Sequence, residues 1–357
     1  MRRGANYRRA LDRPHMTQVR IAHKIPPSFS LDVDFSIASG VTVLYGPSAA
    51  GKTFILESIA GFVRPRSGRI LLDDVILFDG GSSVHVPARR RRCGHVAQRD
   101  SLFPHLTVRQ NLIFAARLFP RLERNRRVSE MLERFGLARA AALHPHELGA
   151  AQKLRAEIAR ALISEPKLLL LDDRPYDEVL LGLLRETSAA STLLVTSDLD
   201  LVCSSADELM LIEAGRILQR GAPSTVLEQP DSIDVARLVG IPNLFQATIA
   251  TLDPSRDSSR LVCERFALSA SYLPGHFRGD RVWIAIAPEA LRVHPGTGEA
   301  RDNFIAAELV RVSRRRHWVR MEFSNHIFAD LSYAQFAGQQ ENKDWLIEFP
   351  SEAVRIL

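Results

Sequence analysis

The chain has 357 residues, enough for two domains at roughly 100–200 residues each. Its apolar fraction of 46% and charged fraction of 25% are those of an ordinary globular protein, and no apolar run reaches the roughly eighteen residues that a membrane-spanning helix needs. The net charge of +6 is almost all Arg, but the runs Arg89-Arg90-Arg91-Arg92 and Arg314-Arg315-Arg316 lack the interleaved aromatics of a single-strand nucleic-acid surface. They read as solvated or phosphate-proximal loops, and no nucleic-acid partner is expected.

Residues 1–16, MRRGANYRRALDRPHM, are basic with no apolar stretch behind them. They read as a disordered tail rather than a secretory signal, with Met16 as a second candidate start. Residues 17–45 alternate as strands do: Val19-Arg20-Ile21, then Phe29 to Phe35, then Val41 to Tyr45. Residues 53–60 predict a helix stopped by Gly61, and residues 69–72 and 75–78 a hairpin around Asp73-Asp74. Helical periodicity follows over 108–142, with Leu112, Ala115, Ala116 and Leu118, then Met131, Leu132 and Phe135, as apolar stripes. A further helix is expected over 153–163.

The run Leu168-Leu169-Leu170-Leu171 follows a proline and is flanked by acids, as a fully buried parallel strand would be. Residues 193–196 and 209–213 repeat that pattern, so an α/β core extends to about residue 230. The last third contains a weak internal repeat. Asn243-Leu244-Phe245-Gln246-Ala247-Thr248-Ile249 matches Asn303-Phe304-Ile305-Ala306-Ala307-Glu308-Leu309, and Glu289-Ala290-Leu291-Arg292-Val293 matches Glu352-Ala353-Val354-Arg355-Ile356. Two such units imply a small all-β, OB-like barrel domain built of two repeats. Cys93, Cys203 and Cys263 lie far apart without CxxC spacing and read as thiols of a reducing compartment.

Gly46-Pro47-Ser48-Ala49-Ala50-Gly51-Lys52-Thr53 satisfies G-x-x-x-x-G-K-[ST] between a buried strand and a helix, which is the context the motif requires. Its glycines let backbone N–H groups turn inward around phosphates, and the helix N-terminus adds its positive end. Lys52 would bridge the β- and γ-phosphates of ATP, and Thr53 would ligate Mg²⁺. Such a loop needs a carboxylate from a neighbouring strand end to hold the metal. Asp172, closing the Leu run, supplies it, and Asp173 stands where a carboxylate would polarise the attacking water.

With these residues placed, the segment 19–239 resembles the ATP-binding subunits of ABC transporters, those of the molybdate and related oxyanion importers most closely. The phrase from Val96 to Val108, with Gln98-Arg99-Asp100-Ser101-Leu102-Phe103-Pro104, looks like that family's Q-loop. The resemblance implies a P-loop NTPase of the ABC ATPase type over 17–240, with a helical subdomain over about 99–150 and the β-barrel domain over 241–357. It further implies that Gln98 contacts Mg²⁺ or the lytic water, and that Phe29 falls near the aromatic that stacks on adenine. Implied partners are a membrane permease subunit, a second ATPase subunit (identical or not) and, indirectly, a periplasmic or lipoprotein solute receptor. The implied location is the cytoplasmic face of the cell membrane.

Several landmarks depart from the family pattern. Leu148-Gly149-Ala150-Ala151-Gln152 aligns with the signature Leu-Ser-Gly-Gly-Gln, which acts in trans on the partner's γ-phosphate. Gly149 removes a hydroxyl, and Ala150 and Ala151 lose the freedom at positive φ that glycine permits. Asp173 replaces a glutamate, and Ser197 occupies the place of the switch histidine. Nucleotide binding is therefore expected to survive, with hydrolysis weakened.

Overall fold

The computed structural model describes residues 16–25, 29–296, 302–315, 317–337 and 342–357, so residues 1–15 of the basic tail and Arg316 lie outside the described residues. The chain divides into two compact units, Met1–Ser224 and Thr225–Leu357.

The first unit carries two sheets. The strands β1 (Thr17–Ile25), β2 (Phe29–Ile37), β3 (Val41–Tyr45), β4 (Ser67–Leu72), β5 (Val75–Asp79) and β6 (Val84–His85) come first, followed by β7 (Cys93–Val96), β8 (Leu168–Leu171), β9 (Ser191–Thr196), β10 (Glu208–Glu213) and β11 (Arg216–Gly221). An antiparallel sheet runs β2-β1-β4-β5-β6. Along β2 the side chains Leu31, Val33, Phe35 and Ile37 are buried while Ser30, Asp32 and Asp34 face out, the alternation of a half-buried sheet. The second sheet runs β11-β10-β3-β9-β8-β7, with β10, β3, β9, β8 and β7 all parallel. All residues of β8 and β9 are buried, because helices cover parallel strands on both faces.

The helices of this unit are α1 (Lys52–Ala60), α2 (Val108–Ala115), α3 (Arg121–Arg134), α4 (Ala150–Leu162), α5 (Glu178–Thr187) and α6 (Leu199–Ser205). Gly61 ends α1 at φ 88, donating back to Glu57 O as a left-handed cap does. The helical run expected over 108–142 is broken: Pro120 caps α3 in extended conformation, and Leu118, read as part of an apolar stripe, is 86% exposed. Helix α4 starts at Ala150, three residues before its expected start, because the Gln152 side chain accepts from Gly149 N at 3.2 Å and closes the first turn.

The Arg89–Arg92 run is not uniformly solvated. Arg91 is fully buried and donates to Val86 O (2.6 Å), Ser58 O (2.7 Å) and Ile59 O (2.9 Å). The last two carbonyls belong to the end of α1, where a cation complements the helix dipole.

In the second unit, α7 (Pro223–Glu228) spans the boundary and α8 (Ile233–Leu238) precedes the strands β12 (Asn243–Asp253), β13 (Ser258–Cys263), β14 (Ala267–Ala270), β15 (Arg281–Ile286) and β16 (Arg292–Pro295). The second half repeats this order with β17 (Phe304–Arg314), β18 (Trp318–Phe323), β19 (Phe328–Ser332), the short helix α9 (Tyr333–Phe336), β20 (Asp344–Glu348) and β21 (Arg355–Ile356). The two sheets run β14-β13-β12-β15-β21 and β16-β20-β17-β18-β19. Each half thus gives its last strand to the other half's sheet, so neither sheet is complete on its own. Asn243 donates to Phe328 O (2.8 Å) and accepts from Phe328 N (2.7 Å). Asn303 does the same with Ser269, at 2.8 and 2.5 Å. A single core containing Ile249, Leu261, Ile284, Met321, Trp345 and Phe349 serves both halves.

Candidate nucleotide site

The phosphate loop leaves the C-terminal end of β3, a strand inside the parallel sheet, and enters α1. Two glycines are dictated by geometry. A Cβ at Gly46 would stand 2.0 Å from Ile212 O on the adjoining β10, and Gly51 begins α1 at φ 102. Ala49 also takes a left-handed conformation, φ 65, a strained choice for a residue with a Cβ. The loop curls tightly, with Ala50 N donating to Pro47 O at 3.3 Å.

Lys52 is buried and lies along the inside of this curl. Its ammonium donates to Gly46 O (2.6 Å) and Pro47 O (2.8 Å), two acceptors of the loop itself. Burial lowers its pKa from the ordinary lysine value, while the nearby charges of Asp173 and Asp172 act in the opposite direction. A phosphate entering the loop would complete the pairing of this ammonium.

Asp172 does not sit on the strand beside the loop, as a neighbouring-strand carboxylate would. The order β3-β9-β8 puts β9 between them. The gap is closed from the helix side: Thr53 Oγ donates to Asp172 Oδ1 at 3.2 Å. Asp172 is 1% exposed, its Oδ1 also accepts from Asp173 N (2.9 Å), and Tyr176 Oη donates to its carbonyl (2.8 Å). The Thr53–Asp172 oxygen separation suits Mg²⁺, since adjacent ligands of an octahedral Mg²⁺ at about 2.1 Å stand roughly 3 Å apart. Thr53 and Asp172 would hold that ion, which supplies neutralisation of phosphate charge.

Asp173 is half-buried at the strand end, and its Oδ2 accepts from Ser197 Oγ at 3.2 Å. Ser197 follows β9, so the intervening strand carries this residue to the carboxylate. A cavity of about 330 Å³ opens beside Asp173 and Ser197, bounded by Tyr176, Thr196 and Leu201. Gln98 lies in the loop after β7 with its side chain exposed; its carbonyl accepts from Arg174 Nη1 at 3.1 Å. Phe29 opens β2, its ring 5.9 Å from that of Phe54 and 3.2 Å from where a Gly51 Cβ would be. It packs beside the loop at the edge of the core.

The signature-like segment opens α4. Leu148 is buried, whereas Gly149, Ala150, Ala151 and Gln152 are exposed at the N-terminal end of α4. Gly149 has φ −67 and the alanines are helical, so the positive-φ freedom credited to glycine there is not used by this backbone.

Two residues near the site were not singled out from sequence, Arg174 and Glu157. Glu157 had a legible signal: it falls among the apolar positions Leu154, Ile158 and Ala161 of α4, where a carboxylate must find a buried partner.

The family model described as "ABC transporter" matches residues 31–174. The molybdenum import ATP-binding protein ModC of Rhodospirillum rubrum is 37% identical over 215 residues, 58% of each chain. The spermidine/putrescine import ATP-binding protein PotA of Vibrio cholerae is 35% identical over 276 residues, 74% of this chain and 71% of that one. Among solved structures, an ATP-binding subunit of an ABC transporter superposes with TM-score 0.53 at 24% identity over 63% of this chain and 98% of the other, a likeness of fold. CbiO1 from Clostridium perfringens superposes with TM-score 0.52 at 25% identity, over 62% of this chain and 94% of that one. Loop, strand order, paired Thr53 and Asp172, and these likenesses agree: the chain belongs to the ATP-binding proteins of ABC transporters, which bind ATP with Mg²⁺.

Proposed function

We propose that the protein is the ATP-binding subunit of an ABC importer, driving uptake of a solute through a separate membrane permease. The observation carrying this reading is the Thr53–Asp172 contact across β9, with Lys52 poised in the loop. In this reading Gly46 to Thr53 hold the phosphates, Gln98 joins Thr53 and Asp172 at the metal, Asp173 orients and deprotonates the attacking water, and Ser197 fixes Asp173. Residues 148–152 serve the site of a second ATPase subunit, identical or related, and Phe29 borders the base. Helices α2 and α3 belong to the subdomain that meets the permease, at the cytoplasmic face of the membrane, and a receptor outside delivers the solute. No helix among the described residues is long and apolar enough to cross a membrane. The molybdenum-import relative favours an oxyanion solute, and the polyamine-import relative supports the same plan with a different solute.

A second reading, a nucleotide-binding regulatory subunit with little turnover, rests on a specific observation. The Ser197 hydroxyl, an uncharged group, stands against the carboxylate proposed as base and occupies one of its acceptor positions. Steady-state ATP hydrolysis by the purified chain, with Lys52→Ala as control, separates the two. Turnover above the control supports the transport ATPase; turnover equal to it supports the regulatory subunit.

A further inference from the structure

Beside the nucleotide site, three segments distant in sequence converge on one ion pair. Glu157, on α4, is completely buried. Its Oε1 accepts from Ser101 N at 2.6 Å, and its Oε2 lies 3.2 Å from Arg174 Nη2 without the alignment of a hydrogen bond. Arg174 directly follows Asp173, and its side chain is 13% exposed. It reaches Ala97 O (3.4 Å) and Gln98 O (3.1 Å) through Nη1, and Asp100 Oδ1 (3.4 Å) through Nη2. Two further cations of α4 hold the same loop: Lys153 donates to Asp100 Oδ2 (3.1 Å), and Arg160 to Ser101 O (2.5 Å) and Ser101 Oγ (2.9 Å).

A buried ion pair contributes little net stability, because desolvating both charges offsets their attraction. Burial accordingly raises the Glu157 carboxyl above the ordinary range, against the opposing pull of Arg174 and Arg160. What the pair does supply is registration. The Arg174 contacts, 3.1–3.4 Å, are all longer than the roughly 2.8 Å of a tight charge-assisted bond, and they are spread over the 97–101 loop and α4. Such a fork holds three segments in one arrangement while leaving room to tighten.

We propose that Arg174 and Glu157 are positioning residues for ATP turnover, locking the Gln98 loop and the middle of α4 to the strand end that carries Asp173. This rests on the reading of Asp173 and Gln98 as parts of the hydrolytic site. A displacement of Asp173 on nucleotide binding would thereby be passed through one guanidinium to the loop and to α4.

The test uses the full chain with Arg174→Gln, Glu157→Gln and the double variant. Glu157→Gln keeps an acceptor for Ser101 N, and Arg174→Gln touches a partly exposed side chain, so at least one variant retains the fold. Each single change is expected to lower kcat about tenfold or more with KM for ATP within about twofold, as displaced catalytic groups do. The double variant should be no worse than the poorer single one, because both changes remove the same interaction. Hydrogen exchange gives an arm independent of turnover. MgATP should slow exchange at amides 97–101 in the wild type, and this protection should be lost in Arg174→Gln while protection of amides 46–53 persists. Unchanged kcat, strictly additive losses, or equal loss of protection at both segments would overturn the proposal. If the wild type does not turn over ATP, the hydrolytic reading fails by itself, and retained protection of 97–101 in Arg174→Gln would still refute the coupling.

Discussion

Ser197 donates a hydrogen bond to Asp173 at 3.2 Å, joining the ends of β9 and β8 at the edge of the nucleotide site. The serine has one proton to give and can carry no charge, so it orients the carboxylate without supplying electrostatic help to a phosphate. Replacing Asp173 by Asn should lower kcat about 100-fold, the loss of a positioned base, while the affinity for MgATP stays within about threefold. Ser197→His should raise turnover if the missing imidazole limits the rate. Steady-state hydrolysis and nucleotide titration of both variants check this.

The Thr53–Asp172 contact ties α1 to β8 and is the proposed seat of Mg²⁺. Thr53→Val keeps the shape but removes the oxygen. It should shrink the Mg²⁺-dependent gain in ATP affinity, with Asp172 and Gln98 left to hold the metal, while affinity without the metal stays within about twofold. Titration of ATP with and without Mg²⁺ measures this directly.

Lys52 gives a pH signature. Burial lowers its pKa in the folded protein below the unfolded value. Between those two values the unfolded chain binds more protons, so this group makes stability rise with pH across that window. Nucleotide binding has the opposite sign. Phosphates favour the ammonium, so binding takes up a proton, and affinity for ATP should fall as pH rises through the lowered lysine pKa. Lys52→Arg, whose charge does not titrate, should bind with an affinity flat over the same range.

Arg91 is the buried cation at the end of α1, with three backbone carbonyls as acceptors. Arg91→Met leaves those carbonyls buried and unpaired, at about 1–3 kcal/mol each if no water replaces the guanidinium. The thermal midpoint of the first unit should drop by about 6 °C or more, with ATP affinity per folded molecule little changed. Differential scanning calorimetry resolves this.

Asn243 and Asn303 make matching clamps, each bonding both backbone groups of one residue in the other half of the second unit. Asn243→Ala and Asn303→Ala should destabilise that unit by similar amounts, about 1–3 kcal/mol, because each leaves a half-buried backbone donor and acceptor unmet. Denaturant unfolding of the two variants tests the equivalence.

Much of this arrangement was legible in sequence where local rules govern. The Leu168–Leu171 strand, the hairpin at Asp73 and the phosphate loop follow from apolar runs, turn residues and spacing. The paired asparagines head the two repeated segments, so the repeat in the second unit was visible too. What sequence left hidden depends on long-range packing. Nothing local says that β9 separates Asp172 from the loop strand, that each half lends a strand to the other, or that Arg91 alone of its run is buried. The Leu118 expectation failed because α2 ends at Ala115, which leaves Leu118 in the turn before Pro120 and outside the helical period. The contacts of Arg174 stayed hidden because its partners lie on a distant loop and helix.

Binding of MgATP through the loop from Gly46 to Thr53 is read out by the thermal midpoint with and without nucleotide. At a concentration about 100 times Kd, binding to the native state adds about 2.7 kcal/mol. For a unit of this size that raises the midpoint by about 5–10 °C. The wild type should show such a rise, and Lys52→Ala should lose it. An unmoved midpoint at millimolar MgATP, or an equal rise in Lys52→Ala, would contradict it.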